Sequence, residues 1–217
     1  MPTPGFPPHT LDAEGLPVWI RDLASSIGNH SLHVVRGLEP GRALETLGVL
    51  AGSVRPGELP AGRPDELTSL PAAALGADAG EGATLLAGRV GEWTFVYDDS
   101  GYTFDGTAEA LSGGGRTAVT TVHTINGHAD LTYAVDGEEV ETIVPEDFDP
   151  AEDLPHLPAD LRTAFEAAGV AEWDDLEPGR PDTLVGMRAA CALAGLALTL
   201  DDVRRLPLLL ARRAEGD

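Results

Sequence analysis

Apolar positions along this chain change their period twice. Leu16, Trp19, Leu23 and Ile27 recur at helical spacing, with Ile20 beside them. Gly28-Asn29 closes this stripe, in the conformation that favours a left-handed helix end. A short strand, Leu32 to Val35, follows. Pro40 suits a helix first turn, with Ala43, Leu44 and Leu47 facing inward and Gly48 as the stop. Residues 52–62 are rich in Gly and Pro and read as a loop. Pro64 opens a small helix toward Leu70, and residues 71–82, rich in Ala and Gly, read as a linker.

From Leu85 the period becomes two. Leu85 to Val90 and Trp93 to Asp98 flank Gly91-Glu92, which predicts a hairpin with Trp93, Phe95 and Tyr97 on one face. Thr107 caps a short helix that reaches Leu111. Then Thr117–Ile125, His128–Val135 and Glu138–Val144 are joined by Asn126-Gly127 and Asp136-Gly137. Both dipeptides suit type I′ turns, whose central residues need positive φ, so a three-stranded meander is expected. The period returns to helical at Leu161, Phe165 and Ala168, and again at Leu184, Met187, Cys191 and Ala194, in a helix opened by Pro181-Asp182. Thr199 and Asp202 form a short capping box, and Val203, Leu206 and Leu210 mark a last helix that Pro207 should kink. The terminal arginines suit the end of that helix.

The expected architecture is α+β: an antiparallel sheet of about five strands, made of the hairpin and the meander, with N- and C-terminal helices packed on one face. One domain over residues 11–213 is expected, with a Gly/Pro-rich linker near 52–82. A flexible arm precedes it at residues 1–10, where four prolines fall, and a tail follows at 214–217.

Charge narrows the function. The chain has 217 residues, 36 Asp and Glu against 14 basic residues, and a formal charge of -22. All the basic residues are Arg, and the absence of Lys removes P-loop and Schiff-base chemistry. Phosphate backbones and anionic membrane surfaces would be repelled, so neither nucleic acid nor membrane is expected as a partner. A single Cys, Cys191, makes no internal disulfide. The opening residues lack the basic and apolar regions of a signal peptide, and a cytoplasmic location is expected.

No strong catalytic motif occurs. Gly113-Gly114-Gly115-Arg116 leads into a strand and reads as a turn. Asp98 and Asp99 end the aromatic strand, where Asp favours bonds to its own backbone, although paired carboxylates also do acid–base work. His123 and His128 flank a turn, and with Asp130 they form a set of the kind that holds zinc or iron. Exposed strand histidines explain them as well, and neither a metal nor a cofactor is expected. Cys191, on an apolar stripe, reads as a buried small hydrophobe.

The most unusual feature is an acidic run. Between Arg116 and Arg162 stand eleven acidic residues and no basic one. Its centre is Asp136, Glu138, Glu139, Glu141, Glu146, Asp147 and Asp149. Solvation accounts for such a run, and so does attraction of a basic protein partner.

Several segments together resemble a family of small actinobacterial proteins known only as a domain of unknown function. They are Leu32-His33-Val34-Val35-Arg36-Gly37-Leu38-Glu39-Pro40, Gly91-Glu92-Trp93-Thr94-Phe95-Val96-Tyr97-Asp98, Arg116-Thr117-Ala118-Val119, Tyr133-Ala134-Val135-Asp136-Gly137 and Gly179-Arg180-Pro181-Asp182. The resemblance implies an α+β arrangement and brings no activity, so it transfers no catalytic residue. The expected function is a non-catalytic acidic binding or regulatory domain that engages a basic protein partner, as an immunity protein engages a toxin. The alternative is a hydrolase or metal-dependent enzyme using Asp98, Asp99, His123 and His128.

Overall fold

The computed structural model describes residues 5–26, 28–77, 82–169 and 182–213. Its frame is one antiparallel sheet of eight strands. They are β1 (His30–Arg36), β2 (Arg55–Gly57), β3 (Ala83–Val90), β4 (Trp93–Asp98), β5 (Thr117–His123), β6 (Ala129–Val135), β7 (Glu138–Ile143) and β8 (Leu208–Arg213). Their order is β2-β8-β3-β4-β1-β5-β6-β7. The expected hairpin is β3–β4, and the expected meander is β5–β6–β7.

The count of about five is corrected by three strands. β1 inserts between β4 and β5 and welds hairpin to meander. β8 pairs with β3, and β2 pairs with β8. The chain reaches β8 because Pro207 removes an amide donor and ends the preceding helix. Leu208, Leu210 and Ala211 are then buried in a strand flanked on both sides, where a continuous apolar run is the rule. Arg212 and Arg213 therefore sit on a strand and not at a helix end.

Helices cover both faces of the sheet, and this corrects the one-face expectation. Consecutive residues of β1 show why. Val34 packs with the larger core and Val35 with the smaller one. The larger side carries α1 (Val18–Leu23), α3 (Leu70–Leu75), α6 (Ala159–Ala168), α7 (Val185–Ala194) and α8 (Leu200–Arg204). The smaller side carries α2 (Pro40–Thr46) and α4 (Thr107–Ser112). A one-turn helix, α5 (Pro150–Asp153), follows β7. Phe95 and Tyr97 are buried on the larger side and Trp93 packs against them, so the aromatic strand does seat the core. Gly88 lies under Phe95, where an added Cβ would meet the ring at 2.6 Å.

Local signals explain most termini. Pro40 opens α2, and Gly169 and Gly195 end α6 and α7 in the left-handed conformation. The Thr199–Asp202 box caps α8, which stops at Arg204. At the second meander corner Asp136 and Gly137 have φ of 53° and 86°, as a type I′ turn requires. The first corner differs. Only Gly127 is positive there, the Gly127 amide bonds the Thr124 carbonyl, and Thr124 and His128 close a longer loop. The first helix is also shorter than its stripe: Ala24 is extended, and Ile27 lies outside the described residues, as does Pro181.

Within residues 52–82 the structure places β2 and α3, the latter capped by Ser69. The expected helix from Pro64 is displaced to Leu70. Of the first ten residues, those from Gly5 on are described. Phe6 is buried, and the Gly5 amide bonds the Ala167 carbonyl of α6. No helix among the described residues is long and apolar enough to cross a membrane.

Candidate functional site

β7 is the last strand of the sheet, so one row of its backbone groups has no partner strand among the described residues. Its sequence, Glu138 to Ile143, puts three glutamates on that edge. Glu138 and Glu139 are exposed, and Glu141 is half-buried opposite Tyr133. The register shifts between Tyr133 and Ala134, which leaves Val140 as an unpaired, half-exposed bulge.

Asp136 accepts from the Gly115 amide at 2.6 Å and fixes the turn. Glu146 and Asp147 are exposed on the following loop, and Asp149 accepts from the Ala151 amide to cap α5. None of these seven carboxylates is in an ion pair with a described residue. Arginines elsewhere hold other acids: Arg36 with Glu92, Arg42 with Glu45, Arg89 with Glu39, Arg188 with Asp182 and Arg205 with Asp202. Negative charge is therefore unpaired along β7, while seven carboxylates elsewhere among the described residues are held by Arg and others, such as Glu58 and Glu109, are not. Beside β7 lies an open groove of about 410 Å³. Ile143, Phe148 and Leu157 floor it, and Glu141, Asp147, Asp153 and His156 rim it.

The other candidate residues sit where β1, β4 and β5 end together, and the sheet keeps them apart. Asp98 and Asp99 are consecutive and point to opposite faces. Asp98 is fully buried and accepts from the Ser100 amide and hydroxyl at 2.9 and 2.6 Å. It also accepts from the Thr103 amide and hydroxyl at 2.9 and 2.7 Å. That hydroxyl is committed to Asp98, so it accepts from His33 Nε2 at 2.8 Å, and His33 Nδ1 accepts from the Thr120 hydroxyl at 3.0 Å. The chain Thr120–His33–Thr103–Asp98 thus has one consistent direction and a neutral His33. It folds the loop after β4, as an Asp at a turn does.

On the other face Asp99 accepts from the Thr84 amide at 2.9 Å and from the Ser69 hydroxyl. His30 bonds the Tyr97 hydroxyl at 3.1 Å and stacks on His123, ring centroids 6.4 Å apart. His123 pairs in register with Ala129 and faces the larger core. His128 contacts Asp130, the partner of Val122, on the opposite face. Asp98, Asp99, His123 and His128 therefore do not converge. Among the described residues no group of three His, Cys, Asp or Glu is placed to hold a metal ion.

Burial dominates the titration of this cluster. It lowers His30 to about 4, aided by neighbouring His123 and opposed by Asp98. It lowers His33 to about 4, with Asp98 opposing and Arg213 adding. It raises Asp99 to about 6 against its bonds to Ser69 and Thr84. It also pushes the Cys191 thiol up, in keeping with a packed and unreactive side chain.

A pH dependence of stability follows. The unfolded chain takes up protons at His30 and His33 near 6.5, while the folded chain holds both neutral down to about 4. Their contribution is complete above 6.5 and is lost as the pH falls toward 4. Asp99 acts in the opposite sense: its folded carboxyl protonates near 6 and its unfolded one near 3.8, so acidification favours folding there. Each unit of separation is worth about 1.4 kcal/mol. Two histidines against one aspartate predict a net loss of about 2 kcal/mol between pH 7 and 5. Urea unfolding across that range measures it, and constant or rising stability contradicts it.

Two features had no signal in the sequence. Arg188, on the apolar helix α7, is buried and reaches the Ala168 and Gly15 carbonyls and Asp182. A cleft of about 1010 Å³ opens near β2, with Arg89 and Arg204 in its wall. Arg89 is paired with Glu39, and Arg204 with Asp201 and the Pro60 carbonyl, so neither cation is left over for a ligand.

Fold and edge together define an α+β protein whose eight-stranded antiparallel sheet, helix-covered on both faces, ends in an acidic strand. The chain belongs to DUF6461, a family of unknown function, which it matches over residues 18–212. No curated protein and no solved structure matches it.

Proposed function

We propose that this protein is a non-catalytic acidic binding or regulatory domain that engages a basic protein partner, in the manner of an immunity protein. The binding surface is Asp136, Glu138, Glu139 and Glu141, continued by Glu146, Asp147 and Asp149. The observation that supports this reading is the concentration of charge: eleven acidic residues and no Arg fall between Arg116 and Arg162, and these seven stand in no ion pair with a described residue. Fields from such a surface speed the encounter with an oppositely charged partner and weaken with salt. The separation of Asp98, Asp99, His123 and His128 removes support from the hydrolase alternative.

The test is capture of basic proteins from a lysate of the source organism at low and at high salt, beside the variant Glu138→Lys/Glu139→Lys/Glu141→Lys. Glu138 and Glu139 are exposed and Glu141 is half-buried on the last strand of the sheet, so the variant is expected to fold. The wild type should retain a basic protein at low salt and release it at high salt, and the variant should lose about tenfold in affinity, or roughly 1.4 kcal/mol. Equal capture by the variant, or capture indifferent to salt, overturns the reading.

A further inference from the structure

We infer that Asn126 is a site of spontaneous covalent modification in the folded protein. Its side-chain amide is lost as ammonia through attack by the Gly127 nitrogen, and an aspartyl or isoaspartyl residue takes its place. In the first step the Gly127 amide gives its proton to hydroxide and its nitrogen bonds to the side-chain carbonyl carbon of Asn126. A cyclic imide closes, and the side-chain nitrogen leaves with a proton from water as ammonia. Water then opens the imide. Cleavage at the side-chain carbonyl gives aspartate, and cleavage at the main-chain carbonyl gives isoaspartate, with the backbone routed through the side chain. Nothing is oxidised or reduced, and solvent supplies both hydroxide and water.

The corner between β5 and β6 leaves the reacting atoms open. Asn126 is exposed, and no hydrogen bond holds its side chain among the described residues, so the carbonyl carbon is free to turn toward the next nitrogen. Gly127 has no side chain to shield that nitrogen, and a Cβ built there would meet nothing within 4 Å. The imide therefore has room to form and water has access to it.

One bond has to open first. The Gly127 amide donates to the Thr124 carbonyl at 2.9 Å. Both residues lie beyond the last strand pair of this hairpin, His123 with Ala129, on the tip of a loop. Loop tips open locally at far lower free energy than paired strands. The bond therefore slows the reaction relative to a free peptide and does not prevent it.

The rest of the fold makes the site selective. The only other asparagine is Asn29. Its Oδ1 accepts from the Ile125 amide at 3.1 Å, and the nitrogen it would need belongs to His30, which is buried in β1 and pairs with His123. Attack there requires β1 to leave the middle of the sheet. The second meander corner has the related sequence Asp136-Gly137, and both of its groups are held. The Asp136 carboxylate accepts from the Gly115 amide at 2.6 Å, and the Gly137 amide donates to the Ser112 hydroxyl at 2.9 Å. Of these three places, Asn126 alone combines a free side chain with an accessible nitrogen. Isoaspartate there lengthens the backbone beside Ile125, so the Asn29–Ile125 bond that ties this corner to the start of β1 should be disturbed in the product.

The test is a timed incubation of the folded, full-length wild-type protein in mildly alkaline buffer, followed by peptide mapping with mass spectrometry and an assay of released ammonia. A synthetic peptide with the sequence of residues 124–128 runs beside it, as does the variant Asn126→Gln, which closes a larger ring far more slowly and changes only an exposed side chain. The expected result is conversion at Asn126 into two products of equal mass, faster as the pH rises and slower than in the free peptide. Conversion at Asn126 should be at least about tenfold faster than at Asn29, because a loop tip opens far more often than a central strand. Asn126→Gln should release almost no ammonia over the same period. An intact Asn126 in the folded protein after the free peptide has reacted fully overturns the inference. Equal conversion at Asn29, or undiminished ammonia release from Asn126→Gln, also overturns it, since the reaction would then not belong to this corner.

Discussion

Replacing Asp98 with alanine is expected to cost about 3–5 kcal/mol of folding stability, the range found when one member of a buried charged network is removed. The reason is the number of groups that lose their acceptor. The amides of Ser100 and Thr103 and the hydroxyls of both residues donate to this one carboxylate. Each buried donor left without a partner costs about 1–3 kcal/mol. The effect travels further, because the Thr103 hydroxyl would turn toward His33, whose Nε2 already points a hydrogen at it. Asp98→Asn should recover part of the loss: it keeps one oxygen and introduces an amide donor where only donors converge. Urea unfolding of the three proteins checks this order. Stability of Asp98→Ala within about 0.5 kcal/mol of wild type would mean that the network does not hold the loop after β4.

How much of this was legible beforehand depends on the range of the signal. The Asp136-Gly137 turn, the β3–β4 hairpin and the α6 and α7 stripes are local patterns, and the structure repeats them. β8 stands where the sequence predicts a helix, because Leu208-Leu209-Leu210 has no period and the Thr199–Asp202 box before it argues for one. The box was correct for five residues, and Pro207 then decided the outcome. β1 is longer than the expected strand from Leu32 to Val35, because it also takes in His30 and Ser31, polar positions that carry no strand signal. His30 and His33 are buried because their partners come from far along the chain: Tyr97 lies 67 residues from His30, and Thr103 and Thr120 lie 70 and 87 from His33. A sequence shows a polar residue on a strand, and it does not show the polar residue that will face it.

The candidate site divides along the same line. The acidic run is composition, and composition is visible at once. That the run forms an open edge depends on strand order, and the order depends on β1 inserting between β4 and β5. Had the meander packed the other way round, the same glutamates would have faced a neighbouring strand and needed arginine partners. The three-dimensional result lets the acids go unpaired, because solvent reaches β7.

Replacing Trp19 with alanine is expected to be as damaging as the loss of Asp98, at about 3–5 kcal/mol, through cavity formation and not polar loss. Trp19 is fully buried on α1 and meets Phe95 and Tyr97 edge to face, at centroid distances of 5.5 and 6.2 Å. Its indole Nε1 donates to the Leu196 carbonyl at 3.1 Å, across 177 residues of chain. The side chain therefore ties the first helix, the aromatic strand and the end of α7 into one core. Alanine removes the ring and leaves the Leu196 carbonyl without that donor. Trp19→Phe fills most of the space and loses only the hydrogen bond, so it should cost about 1–2 kcal/mol. Circular dichroism through a urea titration separates the two, because a core that closes over the missing ring would make them alike. Equal losses for the two variants would show that the Leu196 bond, and not the volume of the ring, anchors α1 to the sheet.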